Sequence, residues 1–75
     1  MSRPVVYTVS PAAININTAT VDELEKLPRI GKTLAARIIE FRETNGPFRK
    51  AEYLMLVQGI SDKRFRQIRD LVKTE

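Results

Sequence analysis

Apolar positions along the 75-residue chain follow a spacing that recurs. Val21, Leu24 and Leu27 stand three apart, and thirty residues later Ala51, Leu54 and Val57 repeat the stripe. Ile30 returns as Ile60, Ile38 as Ile68 and Phe41 as Leu71; the acids Asp22 and Glu40 return as Glu52 and Asp70. Self-similarity at a fixed offset marks a duplicated structural unit. Each half is expected to fold as a short helix, a tight turn and a longer helix.

Local signals divide the chain in the same way. Thr20-Val21-Asp22-Glu23 reads as a capping box, with Asp22, Glu23 and Glu25 at the positive end of the helix dipole. Pro28 then stops the first helix near Leu27. A second helix, over about 32–44, should bury Leu34, Ala35, Ile38 and Phe41 before Asn45-Gly46-Pro47 ends it. The third, over about 51–57, starts after Lys50 and so has a weaker cap than the first. Ser61-Asp62 can cap the fourth, whose stripe is Phe65, Ile68, Leu71 and Val72.

Residues 1–13 form an N-terminal extended tail with a β-prone run, Val5-Val6-Tyr7-Thr8-Val9, closed by Ser10-Pro11. A lone strand of that length has no stability of its own. By the thirty-residue offset, Tyr53, Met55 and Leu56 replace Glu23, Glu25 and Lys26, so three apolar side chains fall at positions expected to face water. The Val5–Val9 run is expected to cover them, with self-association as the alternative.

Composition narrows the chemistry. The chain has no histidine, cysteine or tryptophan. Zinc sites built on His or Cys, Ser–His–Asp and Cys–His nucleophiles, and disulfides all lack their parts. Thirteen Lys+Arg against nine Asp+Glu give a net charge of +4, which permits a polyanionic partner without requiring one. The length suits one small domain burying roughly 60% of its unfolded surface, too little for a deep substrate cavity. No apolar stretch approaches the roughly 20 residues of a bilayer span, so no membrane insertion by this chain is expected. Arg3 has no apolar signal core behind it, and localisation cannot be read from the residues.

The chemistry is then expected at the two turns, Leu27-Pro28-Arg29-Ile30-Gly31-Lys32-Thr33 and Val57-Gln58-Gly59-Ile60-Ser61-Asp62-Lys63. Each places an apolar residue between two positions that favour glycine, just before a helix start. A helix start offers unpaired amides and partial positive charge, together an anion site. Ile30 and Ile60 should point inward and anchor the turns. Arg29, Lys32 and Arg37 flank the first, and Lys63, Arg64 and Arg66 flank the second.

These features carry a resemblance. With Ile14-Asn15-Ile16-Asn17-Thr18-Ala19 at the start, the Leu-Pro-x-Ile-Gly turn, Arg42 followed by Asn45-Gly46-Pro47-Phe48, and the Gly59-Ile60 turn, the segment 14–73 resembles the tandem helix-hairpin-helix domain of the ComEA competence DNA receptor family. The resemblance implies a compact all-α, SAM-like tandem helix-hairpin-helix fold over 14–75, with hairpin one at 20–45 and hairpin two at 50–74. It implies sequence-independent binding of double-stranded DNA through backbone phosphates, in DNA uptake and transformation. The phosphate-binding set would be Arg29, Ile30, Gly31, Lys32 and Thr33 with Gly59, Ile60, Ser61, Lys63 and Arg64. In the family, hairpin carbonyls can also hold a monovalent cation, K+ or Na+, here near Leu27 and Ile30; no other cofactor is implied. Further uptake proteins would be partners, and the cell envelope or periplasmic side the location.

The family turn is Gly-apolar-Gly, and this chain departs from it twice. Arg29 replaces the first glycine of hairpin one and Ser61 the second glycine of hairpin two. Asp62 stands where Lys32 stands, beside the expected phosphate, so hairpin one should bind the more strongly. DNA glycosylases and lyases with the same hairpin carry a catalytic Lys at the position of Thr33, and 75 residues leave no room for a base-flipping pocket, so no enzymatic activity is expected. The competing reading is a structural protein-docking module, the use made of this fold in an extrinsic photosystem II subunit.

Overall fold

A computed structural model describes residues 13–75. Within them the fold is all-α apart from one two-residue strand pair. The elements are β1 (Ile14–Asn15), α1 (Val21–Leu24), α2 (Lys32–Asn45), a 3-10 helix (Ala51–Leu56), α3 (Asp62–Ile68), a 3-10 turn (Arg69–Leu71) and β2 (Val72–Lys73).

The expected capping box is formed at α1. The Glu23 amide donates to Thr20 Oγ1 at 3.2 Å, and the Thr20 amide donates to Glu23 Oε1 at 2.9 Å. Beyond Leu24 the chain tightens: the Lys26 and Leu27 amides reach back three residues, to the carbonyls of Glu23 and Leu24. α1 is therefore a single turn, shorter than the apolar spacing predicts. α2 ends at Gly46, whose φ of 90° is open to glycine and whose amide donates to the Arg42 carbonyl at 2.9 Å. After Lys50, which supplies no capping side chain, the third segment winds as a 3-10 helix instead of the expected α-helix.

The fourth helix also ends early. α3 stops at Ile68, and the 3-10 turn that follows rotates the stripe. Leu71 is left 38% exposed, while Val72 is buried as part of β2 and not as a helical position. β2 pairs in parallel with β1, Ile14 opposite Val72 and Asn15 opposite Lys73, and the Ile16 amide donates to the Lys73 carbonyl at 2.9 Å. The two ends of the described chain are thus joined.

The repeat reappears in the core. Leu24 and Leu54, Leu27 and Val57, Ile30 and Ile60, Ala35 and Phe65, and Ile38 and Ile68 are buried as equivalent pairs. Ile16, Leu24, Ile38, Leu54 and Ile68 are the largest fully enclosed side chains. Each contributes about 1.5–3 kcal/mol relative to exposure. Leu34 and Phe41, expected in the core, pack against it only partly buried. Phe41 stacks on Phe48 with ring centroids 5.3 Å apart.

Two polar side chains hold the peripheral segments. The Asn17 side chain accepts from the Phe48 amide at 2.7 Å and donates to the carbonyls of Phe48 and Thr74 at 2.9 and 3.0 Å. Arg42, one of the residues that carry the resemblance, donates to the Ile16 carbonyl at 2.9 Å from a half-buried position. Thus the Ile14–Ala19 segment is a buckle joining start, linker and C-terminus. The proposed cover by Val5–Val9 lies outside the described residues. Tyr53, Met55 and Leu56 are 41%, 37% and 64% exposed.

Candidate nucleic-acid interface

Each hairpin is built on a four-residue turn. The Ile30 amide donates to the Leu27 carbonyl at 3.1 Å, and the Ile60 amide to the Val57 carbonyl at 3.0 Å. The third residue of each turn has positive φ, 67° at Arg29 and 99° at Gly59. Proline second and a positive-φ residue third is the pattern of a type II turn, and hairpin one has the proline at Pro28. Arg29 is the only non-glycine residue with positive φ among those described, at a cost of roughly 1–2 kcal/mol.

After the turn, Gly31 and Ser61 are the N-caps of α2 and α3, both in extended backbone that any residue adopts. That explains why serine can stand at position 61. Gly31 lends no side chain to its helix, so the amides of Lys32, Thr33 and Leu34 have no acceptor among the described residues. Ser61 does cap its helix: its hydroxyl accepts from the Arg64 amide at 3.1 Å. Residues 31–33 and 61–63 are all exposed. Helix-start amides of this kind, next to positive side chains, suit an oxyanion such as a phosphate.

Apart from Arg29 and Gly59, which form the positive-φ corners of the turns, the sequence-predicted residues divide into three groups. Gly31, Lys32, Thr33, Ser61 and Lys63 gather at exposed helix starts. Ile30 and Ile60 are buried anchors whose amides are already engaged inside the turns. Arg64 is half-buried, and its Nη1 donates to the Arg29 carbonyl at 2.9 Å, toward the opposite hairpin. The acids are paired on the same surface. Lys32 Nζ lies 3.5 Å from Glu25 and Arg66 Nη1 3.1 Å from Asp62, contacts exposed enough to contribute at most about 1 kcal/mol each. Sequence reasoning missed the Lys32–Glu25 pair, because the tightened end of α1, not helical spacing, brings the two together.

The monovalent cation implied near Leu27 and Ile30 would share a turn whose oxygens are partly engaged. The Leu27 carbonyl already accepts within its turn, and the Arg64 guanidinium brings a positive charge onto the same turn at Arg29. No cation is assigned. Among the described residues no cluster of acidic side chains could hold a metal ion either, and no helix is long and apolar enough to cross a membrane.

Two equivalent turns, each anchored by a buried isoleucine and opening directly into a helix, define a tandem motif. Residues 9–73 match the helix-hairpin-helix motif family. The chain belongs to that family. Helix-hairpin-helix relatives include ComE operon protein 1 of Bacillus subtilis (strain 168), 41% identical over 61 residues, which cover 81% of this chain and 30% of that protein. Another is endonuclease/exonuclease/phosphatase family domain-containing protein 1 of Xenopus laevis, 43% identical over 81% of this chain and 11% of the relative. An uncharacterized protein of Haemophilus influenzae is 42% identical over 69 residues, covering 62% of its length. The chain therefore spans between about a tenth and three fifths of these relatives, and the helix-hairpin-helix unit is the part they share with it.

Proposed function

We propose that this helix-hairpin-helix domain binds DNA without sequence preference, favouring the duplex, and acts in DNA uptake. Backbone amides at 31–33 and 61–63 contact phosphates of the two strands across a minor groove, with Lys32, Thr33, Lys63 and Arg29 adding side-chain contacts. The carrying observation is the pair of exposed helix starts at equivalent positions, one of them with no capping side chain at all. The likeness to the competence DNA receptor family and to ComE operon protein 1 supports the setting. The role is non-catalytic: threonine stands at the lyase-lysine position, and the matched unit is only 11% of the relative whose name mentions nuclease chemistry. Neither turn carries the bidentate array that direct base readout needs.

Titrating a labelled random duplex and its single strand at several salt concentrations tests this. A Kd on the order of 10⁻⁴ to 10⁻⁶ M is expected at physiological salt, with about 0.9 of log–log salt slope for each phosphate neutralised. Gly31→Pro deletes an amide at the phosphate site, and a lost charge-assisted bond there should weaken binding roughly tenfold or more. Absence of binding even at low salt, or binding indifferent to salt, would favour the second reading, a protein-docking module. The exposed Tyr53, Met55 and Leu56 are the feature that supports that alternative.

A further inference from the structure

In each hairpin, the third residue of the helix that follows the turn sends its side chain to the opposite turn. Leu34 of α2 lies over Gly59: a methyl group at Gly59 would stand 2.6 Å from Leu34 Cδ2 and 3.0 Å from Arg37 Nη1. Arg37 Nη1 also donates to the Gln58 carbonyl at 3.2 Å. Thirty residues beyond Leu34 stands Arg64, and its Nη1 meets the Arg29 carbonyl. Arg29 and Gly59 are themselves equivalent, and both have positive φ. The repeat therefore makes one contact twice, in two chemistries: leucine over glycine and arginine beside arginine.

Arg64 is poorly placed as a phosphate ligand. Its Nε is buried and finds no hydrogen-bond partner among the described residues, while Nη1 is committed to a carbonyl. A guanidinium serving DNA would keep its nitrogens toward the solvent. A leucine at position 64 would also meet the Arg29 side chain where Leu34 meets a bare Cα. The pairing accounts for the departure of hairpin one from the glycine pattern: arginine is tolerated in the turn because the residue facing it is not leucine.

We propose that Arg64 is a positioning residue that clasps the left-handed turn at Arg29, and that positions 29 and 64 form a matched pair as Gly59 and Leu34 do. For its effect on binding, the proposal rests on the DNA-binding reading above; for its effect on folding, it does not.

The test is a cycle of wild type, Arg64→Leu, Arg29→Gly and the double variant, followed by thermal melting and by duplex titration well below the melting point. Arg64→Leu alone should lower Tm by roughly 4–8 °C, the shift that one lost contact of ordinary strength causes in a domain of this size. The double variant should recover most of that loss, because it recreates the glycine–leucine arrangement of hairpin two. Duplex affinity of the double variant should match that of Arg29→Gly, which has lost the Arg29 phosphate contact, because Arg64→Leu costs binding only while arginine occupies the turn. A merely stabilising arginine would not show this dependence on position 29 at temperatures where every variant is folded. If Arg64 were a phosphate ligand, the double variant would instead bind more weakly than either single one, with the salt slope reduced by about 0.9 for each lost contact. Additive Tm changes would overturn the clasp whether or not the wild type binds DNA. If Arg64→Leu fails to fold alone, a folded double variant supports the pairing and an unfolded one refutes it. No wild-type DNA binding together with coupled melting would remove the proposed function and leave the clasp standing.

Discussion

The two hairpins meet the same backbone requirements with different residues. Hairpin one has the favourable second turn residue, Pro28, and the strained third, Arg29; hairpin two has Gln58 second and the compliant Gly59 third. Hairpin one leaves the start of α2 uncapped at Gly31, whereas hairpin two covers part of its helix start with the Ser61 hydroxyl. Lys32 opens the first long helix and Asp62 the second. Beneath these differences the buried pairs coincide from Leu24 and Leu54 to Ile38 and Ile68. The fold tolerates different means to one turn geometry, whereas an anion would notice every difference. The shared interior belongs to folding, and the divergent surface separates a stronger from a weaker phosphate site.

The largest expected effect tests the shared part. Leu24→Ala and Leu54→Ala each empty a fully enclosed position and should cost about 2–5 kcal/mol by denaturant unfolding. If the halves are equivalent in packing, the two costs agree within about 1 kcal/mol. A much smaller loss at Leu54 would mean that the 3-10 segment yields where α1 does not.

Next is Gly59→Ala. At a φ of 99°, with Leu34 Cδ2 2.6 Å from the added methyl, strain and crowding together should destabilise by roughly 2–3 kcal/mol. Gly31→Ala, with nothing within 4 Å and an extended N-cap backbone, should stay within about 1 kcal/mol of wild type. Equal losses would show that the two glycines of the family pattern serve the same need. The geometry assigns the conformational need to the first alone.

Much of this was legible in the residues. The thirty-residue offset placed four of the five buried pairs, all but Ala35 with Phe65, and Thr20 with Glu23 and Ser61 announced their caps. What sequence missed came from contacts between distant segments. Nothing local marks Val72 as a strand partner of Ile14, so it was expected in the α3 stripe. Arg64 was expected at a phosphate and Arg42 had no expected partner, and only the folded chain brings carbonyls to them. The third segment was expected as an α-helix, but with six residues and no capping side chain it takes the tighter winding of a short segment. At the candidate site, the basic residues and helix starts were readable. Which amides are already used inside the turns was not.

Charge reversal compares the surfaces directly. Lys32→Glu should weaken duplex binding about tenfold or more and lower the salt slope by about 1. Lys63→Glu should do less, because Asp62 already offsets its field and Ser61 holds one of the helix-start amides. The opposite ranking in parallel titrations would make hairpin two the principal contact. Glu25→Gln sharpens the point: it releases Lys32 from its 3.5 Å partner and should strengthen binding severalfold at low salt.

The smallest effect comes from exchanging the caps, and it separates stability from binding most cleanly. Ser61→Ala removes the hydroxyl that accepts from the Arg64 amide and should cost about 1 kcal/mol of stability. Gly31→Ser gives α2 the side-chain cap it lacks and should stabilise by only a few tenths of a kcal/mol, the usual difference between glycine and serine at that position. The same serine hydroxyl would compete with a phosphate for a helix-start amide, so the slightly more stable protein should bind duplex DNA more weakly. Melting and titration of Gly31→Ser should therefore move in opposite directions. If both rise together, the uncapped helix start is not where hairpin one meets its anion, and its greater strength must come from Lys32 and Arg29 alone.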